Sequence, residues 1–507
     1  MDKRTVLAIA LSILVLLAFQ YLFQPAGVIN DNISNSEVVE SRDMSENVTQ
    51  LSENQRGTEK TLTNYQLNEI KVENKNLLIS FNEYTGNIAS IKIKNYDKAG
   101  ISPEFKYTNN DYFRINDLQT KPVSHRVFEE NNKTVVEFTY EKENIIVTRR
   151  YFVGDDFLIN VKESFANIAD SSMRVPFVVE IGPGLGEGFE DSRYTFQGPI
   201  AYNGKKVKSK RAEKVKEDIK IDDALWCGYT SKYFAFIKIN LDDNSCTIKK
   251  FNDSAIATTF AEVIVNPKDK VEKEFSVFVG PKEYDILASY GYGLKKSIDF
   301  GVFSFLAIPM LKVMNIFYDV TKNYGWSIIL LTLIIKIITY PLTLKSMTSM
   351  KKMKDLQPKM LEIREKFKGD SQKMNAAMME LYRKHGVNPM GGCLPMLIQI
   401  PIFFALYKAL LVSIELKGAP FIFWIADLSE KDPYYVTPIL MGISMFFQQR
   451  LTPQAGDPMQ QKIFMFMPII FTFMFLNFPS GLVIYWLTNN ILTILQQSII
   501  NKKADAR

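Results

Sequence analysis

The chain has 507 residues, with 61 Lys and Arg against 55 Asp and Glu and a net charge of +6. That length exceeds one compact domain, so at least two folding units are expected. Two histidines, and three cysteines (Cys227, Cys246, Cys393) without metal-ligand spacing, argue against a metal or catalytic centre built on those residues. The near-neutral mean hydropathy of -0.06 averages unlike parts. Residues 1–24 and 298–500 carry long apolar runs, whereas 25–290 reads as an ordinary soluble domain.

Met1-Asp2-Lys3-Arg4 precedes an uncharged run from Thr5 to Phe23. At ~1.5 Å per residue such a helix is long enough to cross a bilayer core. A cleaved signal peptide starts the same way but has a shorter apolar region and a small-x-small site, which Phe23-Gln24-Pro25 does not offer. Residues 1–24 are therefore expected to be a retained anchor. Lys3 and Arg4 keep its start cytoplasmic, so the following residues are exported.

Residues 25–63 are rich in Asn, Ser, Glu, Thr and Gln, a composition too polar to offset chain entropy, and read as a flexible linker. Over 64–296 short alternating runs follow: Asn76–Phe81, Thr134–Tyr140, Ile145–Val153, Phe157–Phe165, Tyr233–Asn240 and Glu274–Val279. Turns such as Glu83-Tyr84-Thr85-Gly86 and Gly154-Asp155-Asp156 separate them. This pattern predicts an all-β sandwich. Gly182-Pro-Gly184-Leu-Gly186-Glu-Gly188 matches neither dinucleotide nor P-loop spacing and reads as a loop. The basic run Lys205–Arg211 reads as a solvated loop, with weak contact to anionic lipid as the lesser reading. Cys227 and Cys246 could pair in an oxidising compartment; the sequence leaves that open.

Residues 297–320 form an apolar pattern broken by Lys312, Asn315 and Asp319, as expected of an amphipathic helix on the outer membrane surface. Five spans follow at about 326–344, 393–412, 435–449, 463–478 and 481–500, within a core drawn as 325–500. The stretch 345–388 holds eleven Lys and Arg against five Asp and Glu, whereas 413–434 holds two against four. The positive-inside rule makes the first cytoplasmic and the second external. Lys502, Lys503 and Arg507 in the tail 501–507 place the C-terminus inside. Six crossings with both termini cytoplasmic satisfy all these charges.

The spans at 435–449 and 463–478 are short, roughly 22–24 Å as helices against a ~30 Å hydrocarbon core. Local bilayer thinning accommodates them. Lys336 sits near the middle of the span 326–344, some eight residues from either end. A charge there costs at least ~2.5–3.5 kcal/mol and usually faces a bundle interior or wet cavity. No Asp, Glu or His lies in the five spans, so Lys336 needs water or a ligand. Thr332, one turn earlier on the same face, and Gln399, Gln448, Gln449, Asn489 and Asn490 either line that cavity or bond helix to helix. Residues 345–388 read as a cytoplasmic helical hairpin. Met353, Leu356, Met360, Ile363 and Phe367 make one stripe, Gly369-Asp370 the turn, and Met374, Met378, Leu381 and Tyr382 the facing stripe.

Tyr340-Pro341-Leu342-Thr343, Leu356-Gln357-Pro358-Lys359, Asn388-Pro389-Met390-Gly391-Gly392-Cys393-Leu394-Pro395, Asp432-Pro433-Tyr434-Tyr435 and Phe478-Pro479-Ser480-Gly481-Leu482 resemble the YidC family of membrane protein insertases. The likeness spans 298–500, and the extra N-terminal span and β domain resemble the Gram-negative form, with 25–296 periplasmic. The resemblance implies an inner-membrane insertase and chaperone, not an enzyme, that moves tails of nascent membrane proteins across the bilayer without nucleotide hydrolysis or cofactor. It would work alone or beside the Sec translocon. It implies a hydrophilic groove with one basic residue, here Lys336 where the family usually has Arg. Substrate-facing positions fall on Thr332 and on Trp486 beside Tyr485, with polar groove positions at Gln399 and Gln448; Asn489 joins this groove set as a polar span residue. Ribosome contact through Lys502, Lys503 and the hairpin is plausible by charge; the chain needs no nucleic-acid recognition of its own. Alternative readings are a solute or proton transporter using Lys336, an intramembrane protease, or a non-inserting assembly scaffold. The first lacks ionisable relays, the second lacks Ser-His or paired Asp, and the third needs no buried cation.

Overall fold

The computed structural model of the protein describes residues 69–505, except 97–103, 107–112, 116–120, 186–195, 212–213, 240–244, 252–253, 388–393 and 453–457. The expected anchor, the linker over 25–63, Cys393 and the Asn388–Cys393 motif lie outside the described residues.

Among the described residues the β domain is built from three antiparallel sheets. Nine strands run, in order, Val207–Ser209, Gly198–Tyr202, Trp226–Thr230, Phe234–Ile239, Lys270–Pro281, Leu158–Asn167, Ile145–Val153, Lys133–Lys142 and Ser124–Glu130. A five-stranded sheet packs on it through Ser254–Val265 and Met173–Ile181, and Phe165 meets Phe177 across the gap at 5.9 Å. A four-stranded sheet from Glu69 to Lys106 closes the domain, with Phe81 against Tyr151 at 4.8 Å. The sandwich expected from alternation is thus present. Ile145–Val153 buries every second side chain, which turns Arg149 inward among Ile145, Val147, Tyr151 and Val153.

Arg149 resolves that placement with hydrogen bonds. Its guanidinium donates to Glu163 (3.3 and 3.4 Å), Asn87 Oδ1 (2.9 Å), Tyr140 Oη (3.3 Å) and the Ile115 carbonyl (2.6 Å). One side chain therefore ties two sheets to the turn that leads into the third. Cys227 and Cys246 are buried free thiols in a small apolar cluster with Ala201, Ile221 and Ile248. Burial raises the Cys246 thiol well above the usual range. The basic run 205–211 is exposed as read, although Val207–Ser209 joins the nine-stranded sheet as its edge instead of forming a loop.

The helical part comprises α1 (Tyr284–Ser289), α2 (Ser304–Thr321), α3 (Tyr324–Asp355), α4 (Gln357–Lys366), α5 (Ser371–Lys384), α6 (Leu394–Val412), α7 (Val436–Leu451), α8 (Pro458–Phe475) and α9 (Ser480–Asp505). The surface helix starts later than 297. Asp299 accepts the Gly301 N–H at 2.9 Å, and Gly301 takes a φ of 70°, so the chain turns before α2 begins. The first core helix runs past 345 to Asp355, because nothing between Leu344 and Asp355 breaks it. It stops where Pro358 would clash with the preceding turn, and Pro358 instead occupies the first turn of α4. Pro341 lies inside α3.

The hairpin seam is narrower than its two stripes suggest. Met353, Leu356 and Met360 are buried with Val387, and Met378, Leu381 and Tyr382 pack against them. Ile363, Phe367 and Met374 are only half-buried. Asp370 caps α5 by accepting the Lys373 N–H at 3.0 Å, which fixes the Gly369-Asp370 turn. Among the described residues one helix, α3, is by itself long and apolar enough to cross a membrane, with a mean hydropathy of 2.0. Leu397–Val412 and Met465–Phe475 are shorter apolar stretches.

The two parts meet at the loop after α6. Asn95, Tyr96, Tyr233 and Phe234 of the β domain face Ile414, Glu415 and Lys417 across a cavity of about 120 Å³. Both Glu415 carboxylate oxygens are buried there with no partner on another residue. Burial raises that carboxyl to about 7.

Candidate functional site

The candidate site lies where α3 and α9 pack side by side. Thr332 and Lys336 occupy successive turns of one α3 face. On α9 the same spacing stacks Tyr485, Asn489 and Thr493, all buried, with Gln496 and Gln497 one turn further. Two polar stripes thus face each other within an otherwise apolar bundle.

Lys336 is 9% exposed, and its Nζ donates to Thr493 Oγ1 at 2.8 Å. Gln496 Nε2 lies 3.4 Å from the Lys336 carbonyl. The Oε1 atoms of Gln496 and Gln497 are buried without partners. An ammonium can donate three hydrogen bonds, and among the described residues the Thr493 hydroxyl takes one of them. The sequence reading that Lys336 needs water or a ligand is therefore corrected in part, since a hydroxyl of its own chain holds it. Thr493 sits four residues after Asn489, and extending that stripe by one turn would have found it.

The other expected residues divide. Gln399 Nε2 donates to Tyr485 Oη, which links α6 to the α9 stripe. Thr332 Oγ1 donates to the Ile328 carbonyl at 2.6 Å, so its hydroxyl is held by its own helix. Trp486 turns away from the polar stripe into an aromatic cluster, 5.0 Å from Phe403 and 5.3 Å from Phe475 between ring centroids. Gln448 lies on α7, where its carbonyl accepts both the N–H and the hydroxyl of Thr452. No hydrogen bond in the described residues joins its side chain to Lys336. Asn490 bonds helix to helix, donating to Ser444 Oγ at 2.9 Å.

The end of the bundle that carries the loop between α6 and α7 is braced by hydrogen bonds. Asp432 accepts from Trp424 Nε1 (3.0 Å), the Tyr434 N–H (3.0 Å) and both the N–H and Oγ1 of Thr437 (2.7 and 2.8 Å). Burial opposes its charge, but the Thr437 donors outweigh burial and hold the carboxyl below its usual range. The Ser480 N–H donates to the Glu430 carbonyl at 2.7 Å, and the Gly481 N–H to Leu428 at 3.0 Å. The Asp432-Pro433-Tyr434-Tyr435 and Phe478–Leu482 motifs thus brace the same end of the molecule.

Residues 69–313 match the family model described as the YidC periplasmic domain, and 316–507 the one described as the 60Kd inner membrane protein. The chain is 40% identical over 532 residues to the membrane protein insertase YidC of Geotalea daltonii, covering 100% of both chains. It is 45% identical over 378 residues to that of Geobacter sulfurreducens, covering 73% of this chain and 71% of the relative. A crystal structure of an active YidC insertase with its first transmembrane domain resolved is 19% identical, with a TM-score of 0.39, covering 97% of this chain and 98% of the other.

Proposed function

Because the chain belongs to the YidC family of membrane protein insertases, we propose that the seam between α3 and α9 is its substrate groove, with Lys336 as the attracting charge. The observation that carries this reading is the Lys336 ammonium, buried in the bundle and held, among the described residues, by the Thr493 hydroxyl with no carboxylate partner. A structural cation would have its donors filled; this one is left able to bind.

The chemistry follows from partitioning. The polar extracytoplasmic tail of a nascent membrane protein enters the groove partway, drawn by the ammonium, while its apolar helix meets lipid. The short helices α7 and α8 thin the remaining hydrophobic path. Release of the helix into lipid supplies ~25 cal/mol per Å² of apolar surface withdrawn from water. No bond is made or broken and no nucleotide is consumed. The bracing around Asp432 keeps the external end closed, so the tail has to displace polar contacts to leave. Six crossings, cytoplasmic termini, and work alone or beside the Sec translocon complete the reading, with the basic hairpin and tail available to a ribosome. Lys in place of the family's usual Arg keeps the charge but gives up bidentate capture of a carboxylate.

The test is insertion of a short-tailed, single-span substrate into liposomes carrying this protein alone. Native activity kept by Lys336→Arg and reduced by Lys336→Ala for an acidic tail supports the charged groove. Activity unchanged by Lys336→Ala removes Lys336 from the mechanism. No insertion above empty liposomes by folded protein favours an assembly scaffold.

A further inference from the structure

A second polar site lies where the β domain passes into α2. A short 3₁₀ turn, Leu294–Ser297, leads to the bend at Gly301 and the start of α2. These segments enclose an open-sided cavity of about 200 Å³. That is several times the ~30 Å³ share of one water, so a phosphate group fits.

We propose that this pocket, lined by Tyr284, Lys295, Lys296, Asp299, Gly301 and Ser304, binds the phosphate of an anionic phospholipid headgroup. It rests on the reading that α2 lies along the outer membrane surface.

Charge comes first. Lys295 and Lys296 line the pocket and are exposed. Lys295 Nζ stands 5.9 Å and Lys312 Nζ 5.5 Å from the centroid of the Tyr284 ring, so two ammoniums flank one wall. Lys408 of α6 reaches the other side, where a Cβ on Gly301 would meet its Cε at 3.7 Å. Against these stands the Asp299 carboxylate, which is engaged by the Gly301 N–H. The pocket also sits at the start of α2, whose N-terminus no side chain caps. The positive end of the helix dipole favours an anion there, although the Ser304 and Leu306 amides already donate to the Gly301 and Phe303 carbonyls.

The remaining walls say which anion. Ile298, Phe300 and Ile308 also line the cavity. Val302 is 88% and Phe305 68% exposed beside it. Ile316 and Val320 continue the exposed apolar residues along α2. A ligand with a phosphate at one end and hydrocarbon at the other satisfies both kinds of wall, whereas inorganic phosphate uses only one.

The full-length protein is reconstituted in phosphatidylcholine vesicles with a minor fraction of spin-labelled phosphatidylglycerol or spin-labelled phosphatidylcholine. The protein-immobilised fraction is read by electron paramagnetic resonance. Phosphatidylglycerol is expected to be immobilised in preference to phosphatidylcholine. Lys295→Gln/Lys296→Gln, which changes two exposed side chains, should reduce that preference at least ~fivefold, the scale of one lysine at a charged membrane surface. Equal immobilisation of both lipids, or a preference unchanged in the double variant, overturns the proposal. A nitroxide at Val302→Cys tests the placement of α2 separately. Oxygen accessibility there with no lipid preference leaves α2 on the membrane and overturns only the lipid site. Aqueous accessibility at Val302 overturns both. In detergent, inorganic phosphate that binds as tightly as the lipid headgroup would identify a free-anion pocket and likewise overturn the lipid assignment.

Discussion

Arg149 in the β domain and Lys336 in the helical core are both withdrawn from solvent, at 1% and 9% exposure. Arg149 spends its fork on Glu163, Asn87, Tyr140 and the Ile115 carbonyl, and Glu163 is itself fully buried as its counter-ion. Lys336 has one hydroxyl and no carboxylate among the described residues. A buried charge that holds a fold together is saturated by partners already present. A buried charge that serves a changing partner keeps part of its valence open. The choice of residue follows the same division, since Arg offers a rigid fork to fixed acceptors and Lys a mobile point charge.

The comparison breaks first at Arg149. Arg149→Met should cost the β domain about 3–5 kcal/mol, because Glu163 is left buried without its counter-ion. Hydrogen exchange across Ile145–Val153 and Leu158–Asn167 should accelerate, while insertion by the still-folded fraction persists. Loss of insertion with normal exchange would mean the arginine is not merely structural.

A second test lies where the two regions meet. Glu415 holds its proton up to about 7 in the folded protein, against an ordinary 4.5. Burial is the main cause, with Glu283 and Asp285 adding like charge. Burial raises Glu283 as well, although Tyr96 Oη donates to it at 3.2 Å. A raised carboxyl means that the unfolded chain releases its proton first. Stability from this group is therefore full below ~4.5 and falls as pH rises to ~7, by up to about 3 kcal/mol. Glu415→Gln should flatten that part of a pH–stability profile, and an unchanged profile would show that the carboxyl is not the titrating group.

Within the core, Lys336→Met should leave thermal stability equal or higher while slowing insertion of an acidic tail roughly tenfold or more, the worth of a charge-assisted hydrogen bond. A large drop in melting temperature would instead make Lys336 a counterpart of Arg149. Thr493→Val should have the smallest effect, about fivefold or less on the same insertion rate, since one neutral acceptor is lost. If Thr493→Val raised the rate, the hydroxyl would be competing with substrate for the ammonium.

Local periodicity carried much of this architecture. The strand Ile145–Val153 and the helices α6 to α9 fall within a few residues of where alternation and apolar runs put them. The same alternation already turned Arg149 inward, but its partners Asn87 and Ile115 are 62 and 34 positions away, beyond what any local pattern specifies. Met173–Ile181 escaped because Pro176 interrupts it, which reads as a strand breaker when the neighbouring strand is unknown. Lys336 stood out as a charge in an apolar run. Thr493, 157 positions later, did not, because a threonine in a helix bonding its own backbone is unremarked until its neighbour across the seam is known. The resemblance points to Trp486 with Tyr485 beside it, yet successive helical residues point about 100° apart, and the packing puts Trp486 among Phe403 and Phe475.

The length of α3 has a mechanical meaning. Its 32 residues make a rod of roughly 48 Å, so one helix carries both Lys336 and Met353 of the hairpin seam. A uniform rod would transmit every tilt of the hairpin to the ammonium. Pro341 has no N–H to offer the Ile337 carbonyl, and the hydroxyls of Thr339 and Thr343 bond back to Ile335 (2.8 Å) and Thr339 (3.1 Å), which softens the same turn. The rod is therefore notched just below Lys336. Stiffness is thus lowest between the charge and the hairpin, so one helix carries both without coupling them rigidly.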